Sequence, residues 1–197
     1  MREVELKSVV DDVDRRRRIV ERAGGRLIFE GLLKDRRYDS VGGQLIAQDN
    51  VLRVRTYEAA GEKEGFLDWK GPTSLENGYK VREEVSTAVG DPDVLAIILA
   101  SLGFNVVLEI DREIAQYALG AAIIRFEEYP KMDSLVEVEG TTEEIEKAIA
   151  ALGMDRSGFL SDRLAAFVAR FEERTGTKAA LSARELAGDY RFARGPA

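Results

Sequence analysis

The sequence contains no cysteine and no histidine. The first absence excludes disulfides, thiolate metal sites and thiol nucleophiles, and the second removes the commonest general base and the commonest transition-metal ligand. No apolar run is long enough to span a bilayer: the most apolar stretch, 94–108, is interrupted by Ser101, Gly103 and Asn105. There is no G-x-x-x-x-G-K-[ST] loop and no strand-following G-x-G-x-x-G, so any phosphate chain must be held by side chains rather than by a glycine-rich cradle. Residues 1–5 open with charge instead of a basic stretch and apolar run, and a soluble, cytoplasmic protein is expected. Chemistry must therefore rest on carboxylates, Lys, Arg, hydroxyls, backbone groups and added ions.

What is present suits one compact domain: 197 residues, 45% hydrophobic, supply a sizeable core, and 33% charged residues a well-solvated surface. With 36 acidic against 29 basic side chains the formal charge is −7, which argues against nonspecific binding to nucleic acid or an anionic membrane.

Alternation of charge with Val4, Leu6 and Val9 predicts a first strand over 2–9, and Asp11-Asp12 a helix that ends at Gly24-Gly25. A second strand is expected over 26–39, then a turn and a short irregular or helical piece. Strands 51–58 and 65–71 pair as a hairpin across the loop 59–64, and 79–89 follows a turn through Asn77-Gly78. Asp91-Pro92 starts a helix that Gly103 closes. Three further strands are expected over 104–119, 121–129 and 134–139, then a capping-box helix from Thr141 to Leu152 and a last helix over 157–174. Residues 175–197 are expected to be a loose appendage with a short helix near 184–187. The order is that of an α+β protein built on antiparallel strands.

Side chains alternate faces along a strand, so Glu3, Glu5 and Lys7 share a face, as do Arg53 and Arg55, Lys80, Arg82 and Glu84, Arg125 and Glu127, and Glu137 and Glu139. Lys70 and Arg112 sit on further strands. On any single strand such charges read as a solvated outer face. Repeated over so many strands, they fit a barrel whose apolar faces pack outward against helices and whose charged faces converge inside. Only water, metal ions and a polyanion could satisfy such an interior. Arg and Lys suit phosphate oxygens, and clustered carboxylates suit a hard divalent cation such as Mg²⁺ or Mn²⁺.

Glu3-Val4-Glu5-Leu6-Lys7 resembles the E-x-E-x-K signature of the CYTH superfamily, the triphosphate tunnel metalloenzymes, which include class IV adenylyl cyclases and thiamine triphosphatases. The likeness continues in order through Asp35 to Asp39, Asn50-Val51-Leu52-Arg53-Val54-Arg55, Trp69-Lys70-Gly71-Pro72, Lys80-Val81-Arg82-Glu83-Glu84, Arg112 and Glu137-Val138-Glu139. It covers residues 1–173, leaving 174–197 as a tail. The resemblance implies a closed antiparallel β-barrel of about eight strands, forming a tunnel with helices outside. It implies Glu3, Glu5, Glu127, Glu137 and Glu139 as metal ligands, and Lys7, Arg53, Arg55, Lys70, Lys80, Arg82, Arg112 and Arg125 as substrate contacts, with Lys7 and Glu5 catalytic. Ile110 stands where the family usually has Lys, and Arg125 is expected to take that place. Ser161-Asp162 replaces the usual Ser-Tyr.

The expected activity is Mg²⁺- or Mn²⁺-dependent hydrolysis of tripolyphosphate or an organic triphosphate such as thiamine triphosphate or a nucleoside triphosphate. The alternatives are conversion of ATP to cyclic AMP and pyrophosphate, and a noncatalytic barrel that binds polyphosphate or nucleotide. A small-molecule triphosphate is the expected partner, with no nucleic acid or membrane, and the chain a monomer or homodimer. Arg15 to Arg18 read as solvated surface, with Arg16 exposed; Tyr38, Tyr57 and Trp69 read as strand packing, and Asp11-Asp12 and Asp91 as helix caps.

Overall fold

The structure is a computed structural model that describes residues 2–192. Nine strands and six helices follow in the order β1 (Arg2–Val9), α1 (Val13–Arg22), β2 (Arg26–Ser40), α2 (Gln44–Ala47), β3 (Val51–Ala59), β4 (Glu62–Lys70), β5 (Ser74–Glu76), β6 (Tyr79–Val89), α3 (Pro92–Ser101), β7 (Phe104–Leu119), β8 (Ala122–Glu128), β9 (Leu135–Glu139), α4 (Thr142–Leu152), α5 (Leu164–Thr175) and α6 (Ala183–Leu186). Every strand pairing is antiparallel. The sheet runs β1-β9-β8-β7-β2-β3-β4-β6, and β1 pairs back with β6, so eight strands close into a barrel and β5 hangs on the edge as a ninth. Closure satisfies both edges that an open sheet would leave exposed.

The two faces of each strand go to different environments, as the alternation requires. Leu6, Phe126, Val136 and Val138 point out and pack with Val20 of α1 and with Ile145, Ala148, Ile149 and Leu152 of α4 in the largest core cluster. Val54, Leu52 and Leu67 point out beneath Leu95 and Leu99 of α3. Helix starts follow their capping residues: Asp12 accepts from the N–H of Arg15, Asp91 from those of Asp93 and Val94, and Thr141 with Glu144 completes a capping box.

Several local expectations are corrected. The loop 59–64 shrinks to a tight turn at Ala60-Gly61, both residues in the left-handed region (φ 51° and 85°), so β4 starts at Glu62. The expected turn at Asn77-Gly78 is of the same kind (φ 51° and 83°), and it pairs β6 with a short strand, β5, that is not expected from sequence. The last helix is shorter than 157–174: Arg156–Gly158 is a 3₁₀ turn, and Leu160 then exchanges two backbone hydrogen bonds with Lys7 (2.9 and 2.7 Å), which holds the chain extended until Leu164. Arg16 is buried rather than exposed, donating to Asp11 and to the carbonyls of Leu152 and Gly153; Arg17 donates to the Tyr117 hydroxyl. That pair joins α1 to the end of α4 and to β7, while Arg15 and Arg18 face solvent.

Beyond α5 the chain returns to the barrel. Ala179 to Ser182 are buried, Ala180 bridges Lys131, and α6 follows at Ala183–Leu186. Residues 193–197 of the expected tail lie outside the described residues. No helix among the described residues is long and apolar enough to cross a membrane.

Candidate active site

The inward faces enclose a cavity of about 600 Å³ along the barrel. Each strand contributes at every second residue: Glu3, Glu5 and Lys7 from β1, Arg53 and Arg55 from β3, Lys80, Arg82 and Glu84 from β6, Arg125 and Glu127 from β8, Glu137 and Glu139 from β9. Lys70 and Arg112 join them, so all the site residues expected from sequence line one space. The lining also includes Asp35, Arg37, Asp68, Ser86, Tyr129 and Arg163, none of which is expected from sequence as a site residue. Asp35, Arg37, Asp68 and Ser86 each lie two residues from another lining residue on the same strand, and Tyr129 lies two residues past Glu127 just beyond β8, a signal that alternation alone carries. Arg163 gave no such signal, because its segment is extended where a helix is expected.

Ion pairs sort the lining into groups. Asp35, almost fully buried, is a hub: its oxygens accept from Arg55 Nε and Nη2 (2.8 and 3.0 Å) and from Arg112 Nη1 (3.1 Å). Burial works against ionisation of Asp35, but Arg53, Arg55 and Arg112 outweigh it and hold its pKa well below the usual carboxylate range. Arg53 turns to Asp68, with contacts of 2.9 and 2.6 Å. Glu127 accepts from Arg112 Nε (2.9 Å) and the Tyr129 hydroxyl (2.6 Å). Burial raises its pKa, yet Arg112, Arg125 and Lys7 together bring it down to about 2.

On the β1 side, Glu5 accepts from Lys7 Nζ (2.7 Å) and Lys80 Nζ (2.6 Å), and Lys7 also pairs with Glu137. Arg125 donates to Glu137 (2.6 Å) and to Gln116 (3.0 Å). Lys70 pairs with Glu3 (3.0 Å) and with Glu84. Burial, reinforced by the charge of Arg53, nevertheless pushes the Lys70 ammonium down to about 8.

Three carboxylates meet near one end of this space. Glu3, Glu137 and Glu139 each offer an oxygen within 4.8 Å of the others. Among the described residues Glu139 makes no salt bridge, and burial together with the negative charges of Glu3 and Glu137 raises its pKa to about 7. Three carboxylate oxygens this close together form a donor set whose charge a hard divalent cation would offset, so the residues fit such an ion. Of the five acids expected as ligands, these three converge. Glu5 is engaged by two lysines, and Glu127 by Arg112 and Tyr129.

The other end is covered. Val168 of α5 and Leu181 cluster with Leu108 and with Ile110, a lining residue, while Arg163 and Leu164 at the start of α5 line the cavity themselves. Ile110 is thus part of an apolar seal, its side chain 2% exposed. Toward the opposite end the lining includes Tyr57 and Phe66, whose rings meet edge to face at 5.9 Å.

The sequence matches the family model described as the CYTH domain over residues 1–153. No curated protein sequence matches it significantly. Among solved structures, the chain is similar to a candidate adenylate cyclase from Vibrio parahaemolyticus, with TM-score 0.72 and 19% identity over 85% of this chain and 97% of that one. It is similar to the PH1819 protein of Pyrococcus horikoshii OT3, with TM-score 0.69 and 24% identity over 85% and 98%. A third is a candidate adenylyl cyclase from Hippeastrum described as having a dominant triphosphatase activity, with TM-score 0.62 and 18% identity over 91% and 99%. At these identities the likeness is one of fold.

Proposed function

The chain belongs to the CYTH domain family, and we propose that it is a divalent-metal-dependent enzyme that hydrolyses tripolyphosphate or an organic triphosphate. The observation that carries this reading is the division of the cavity: carboxylates Glu3, Glu137 and Glu139 converging at one place, and along the rest basic side chains, most of them held by further carboxylates such as Glu5, Asp35 and Glu127. Glu3, Glu137 and Glu139 would hold a Mg²⁺ or Mn²⁺ ion, which when bound offsets phosphate charge and acidifies water.

The chain's own groups do the remaining work. Arg53, Arg55, Arg112 and Arg125 are fixed by carboxylates on neighbouring strands, so their free N–H groups are aimed before substrate arrives. Phosphoryl transfer asks mainly for such positioning and charge neutralisation. Lys7 and Lys80, held together by Glu5, and Lys70 bring ammonium groups to the attacking or leaving oxygens. Lys7 stays protonated: burial opposes its charge, but Glu137 and Glu5 raise its pKa above the ordinary lysine value.

A second reading is ATP cyclisation, in which the ribose 3′-oxygen attacks the α-phosphorus and pyrophosphate leaves. Tyr57 and Phe66 favour it to the extent that they offer a ring surface to a base at the uncovered end. The test is product analysis with tripolyphosphate, thiamine triphosphate and ATP in Mg²⁺ or Mn²⁺. Orthophosphate supports hydrolysis, pyrophosphate with cyclic AMP supports cyclisation, and binding without turnover of any of the three overturns both.

A further inference from the structure

Among the described residues, Arg37 is the one base lining the cavity that has neither a hydrogen bond nor a salt bridge. The other bases are all engaged: Lys7 and Lys80 by Glu5, Arg53 by Asp68, Arg55 and Arg112 by Asp35, and Arg163 by Asp49. Arg37 Nε is buried without a partner. Three of the charges that act on Arg37 are cationic, against one carboxylate, Asp35, which is already engaged by Arg55 and Arg112. Arg37 lies opposite Arg53 on β3, and burial together with the charges of Arg53, Arg82 and Arg112 lowers its pKa to about 10, so it remains a cation at neutral pH.

A half-buried guanidinium whose Nε is shut away from any hydrogen-bond acceptor, beside other guanidinium groups, is costly, and proteins keep such groups where a ligand completes them. The ligand must be an anion. The register places it: Arg37 faces Leu108 on β7, and Leu108 with Ile110 packs under Val168 and Leu181 at the covered end. That end is sealed by apolar groups, whereas the carboxylate trio lies away from it, so an anionic chain entering past the trio would stop beside Arg37.

We propose that Arg37 is a substrate-binding residue that grips the terminal phosphate of the chain at the covered end of the tunnel. This rests on the reading of the protein as a triphosphate enzyme. The planar fork of the guanidinium suits two oxygens of one phosphate, and a terminal phosphate carries more negative charge than an internal one. Arg37 would thereby select substrates whose last phosphate is free over those esterified at both ends.

The test is titration calorimetry of the full chain with tripolyphosphate without divalent cation, alongside urea unfolding of the ligand-free protein. Arg37→Met should weaken tripolyphosphate binding about 10- to 100-fold, and Arg37→Lys should recover part of it. The ligand-free Arg37→Met protein should be at least as stable as wild type, because a charge with an unpartnered, buried Nε has been removed; a merely structural arginine would give a loss. Binding within about twofold of wild type, or a lower urea midpoint for ligand-free Arg37→Met, overturns the proposal. If wild type itself fails to bind tripolyphosphate, the proposed function fails and this inference with it, a result separable from the case in which only the variant binds normally.

Discussion

Lys7 Nζ donates to Glu5 Oε1 at 2.7 Å, a contact between residues two apart on β1, and Glu5 is not one of the three carboxylates, Glu3, Glu137 and Glu139, that converge. One strand thereby serves two needs: Glu3 goes to the acidic cluster, and Glu5 fixes the ammonium groups of Lys7 and Lys80. Both members of the pair are about nine-tenths buried. Lys7→Met should lower stability by about 3 kcal/mol in urea unfolding, because it leaves buried carboxylates short of a cation. Lys80 and Arg125 still serve those carboxylates, which keeps the loss at the lower end.

The basic run of α1 gives a second expectation. Arg16 donates to the Leu152 and Gly153 carbonyls at 3.0 and 2.8 Å, so Arg16→Ala leaves helix-end acceptors unpaired and should cost about 1–3 kcal/mol. Arg18 is exposed, and Arg18→Ala should stay within about 0.5 kcal/mol of wild type. Parallel denaturant curves decide it; equal losses would contradict the assignment.

Asp35 sets an acid limit on stability. Its folded-state pKa lies well below the unfolded value near 3.9, so its contribution is complete above that value and is lost as pH falls below it toward the folded pKa. Asp35→Asn should be less stable than wild type at pH 7, by on the order of 3 kcal/mol, and the gap should narrow once the pH drops under about 4. Unfolding curves from pH 7 to 3 test this, and a gap independent of pH would refute it.

Removing one carboxylate from the trio should separate metal binding from folding. Among the described residues Glu139 has no salt-bridge partner to strand, so Glu139→Gln should leave the metal-free protein at least as stable as wild type. Affinity for Mn²⁺, read by calorimetry, should fall about tenfold or more. Unchanged affinity would remove Glu139 from the site.

Alternation in the sequence made the barrel and most of its interior legible, because a strand buried on one side and lined with charge on the other leaves a period of two in residues such as Arg53-Val54-Arg55 and Glu137-Val138-Glu139. Which acids would hold an ion and which would hold a base was not legible. That division depends on cross-strand register: Glu5 stands opposite Lys80 on β6 as well as Glu139 on β9, and Asp35 opposite Arg55 on β3. Arg163 and the seal around Ile110 depend on where the C-terminal segment crosses the barrel, which two backbone hydrogen bonds between Leu160 and Lys7 fix and no local pattern announces.

The most direct measurement is orthophosphate release from tripolyphosphate by the wild-type chain and by Glu137→Gln, each with and without Mg²⁺ or Mn²⁺. The account predicts release by wild type only with the divalent cation, and a loss of about 100-fold or more in the variant, since one change removes a trio carboxylate and a partner of both Lys7 and Arg125. Release that needs no divalent cation, or that persists undiminished in Glu137→Gln, would contradict it.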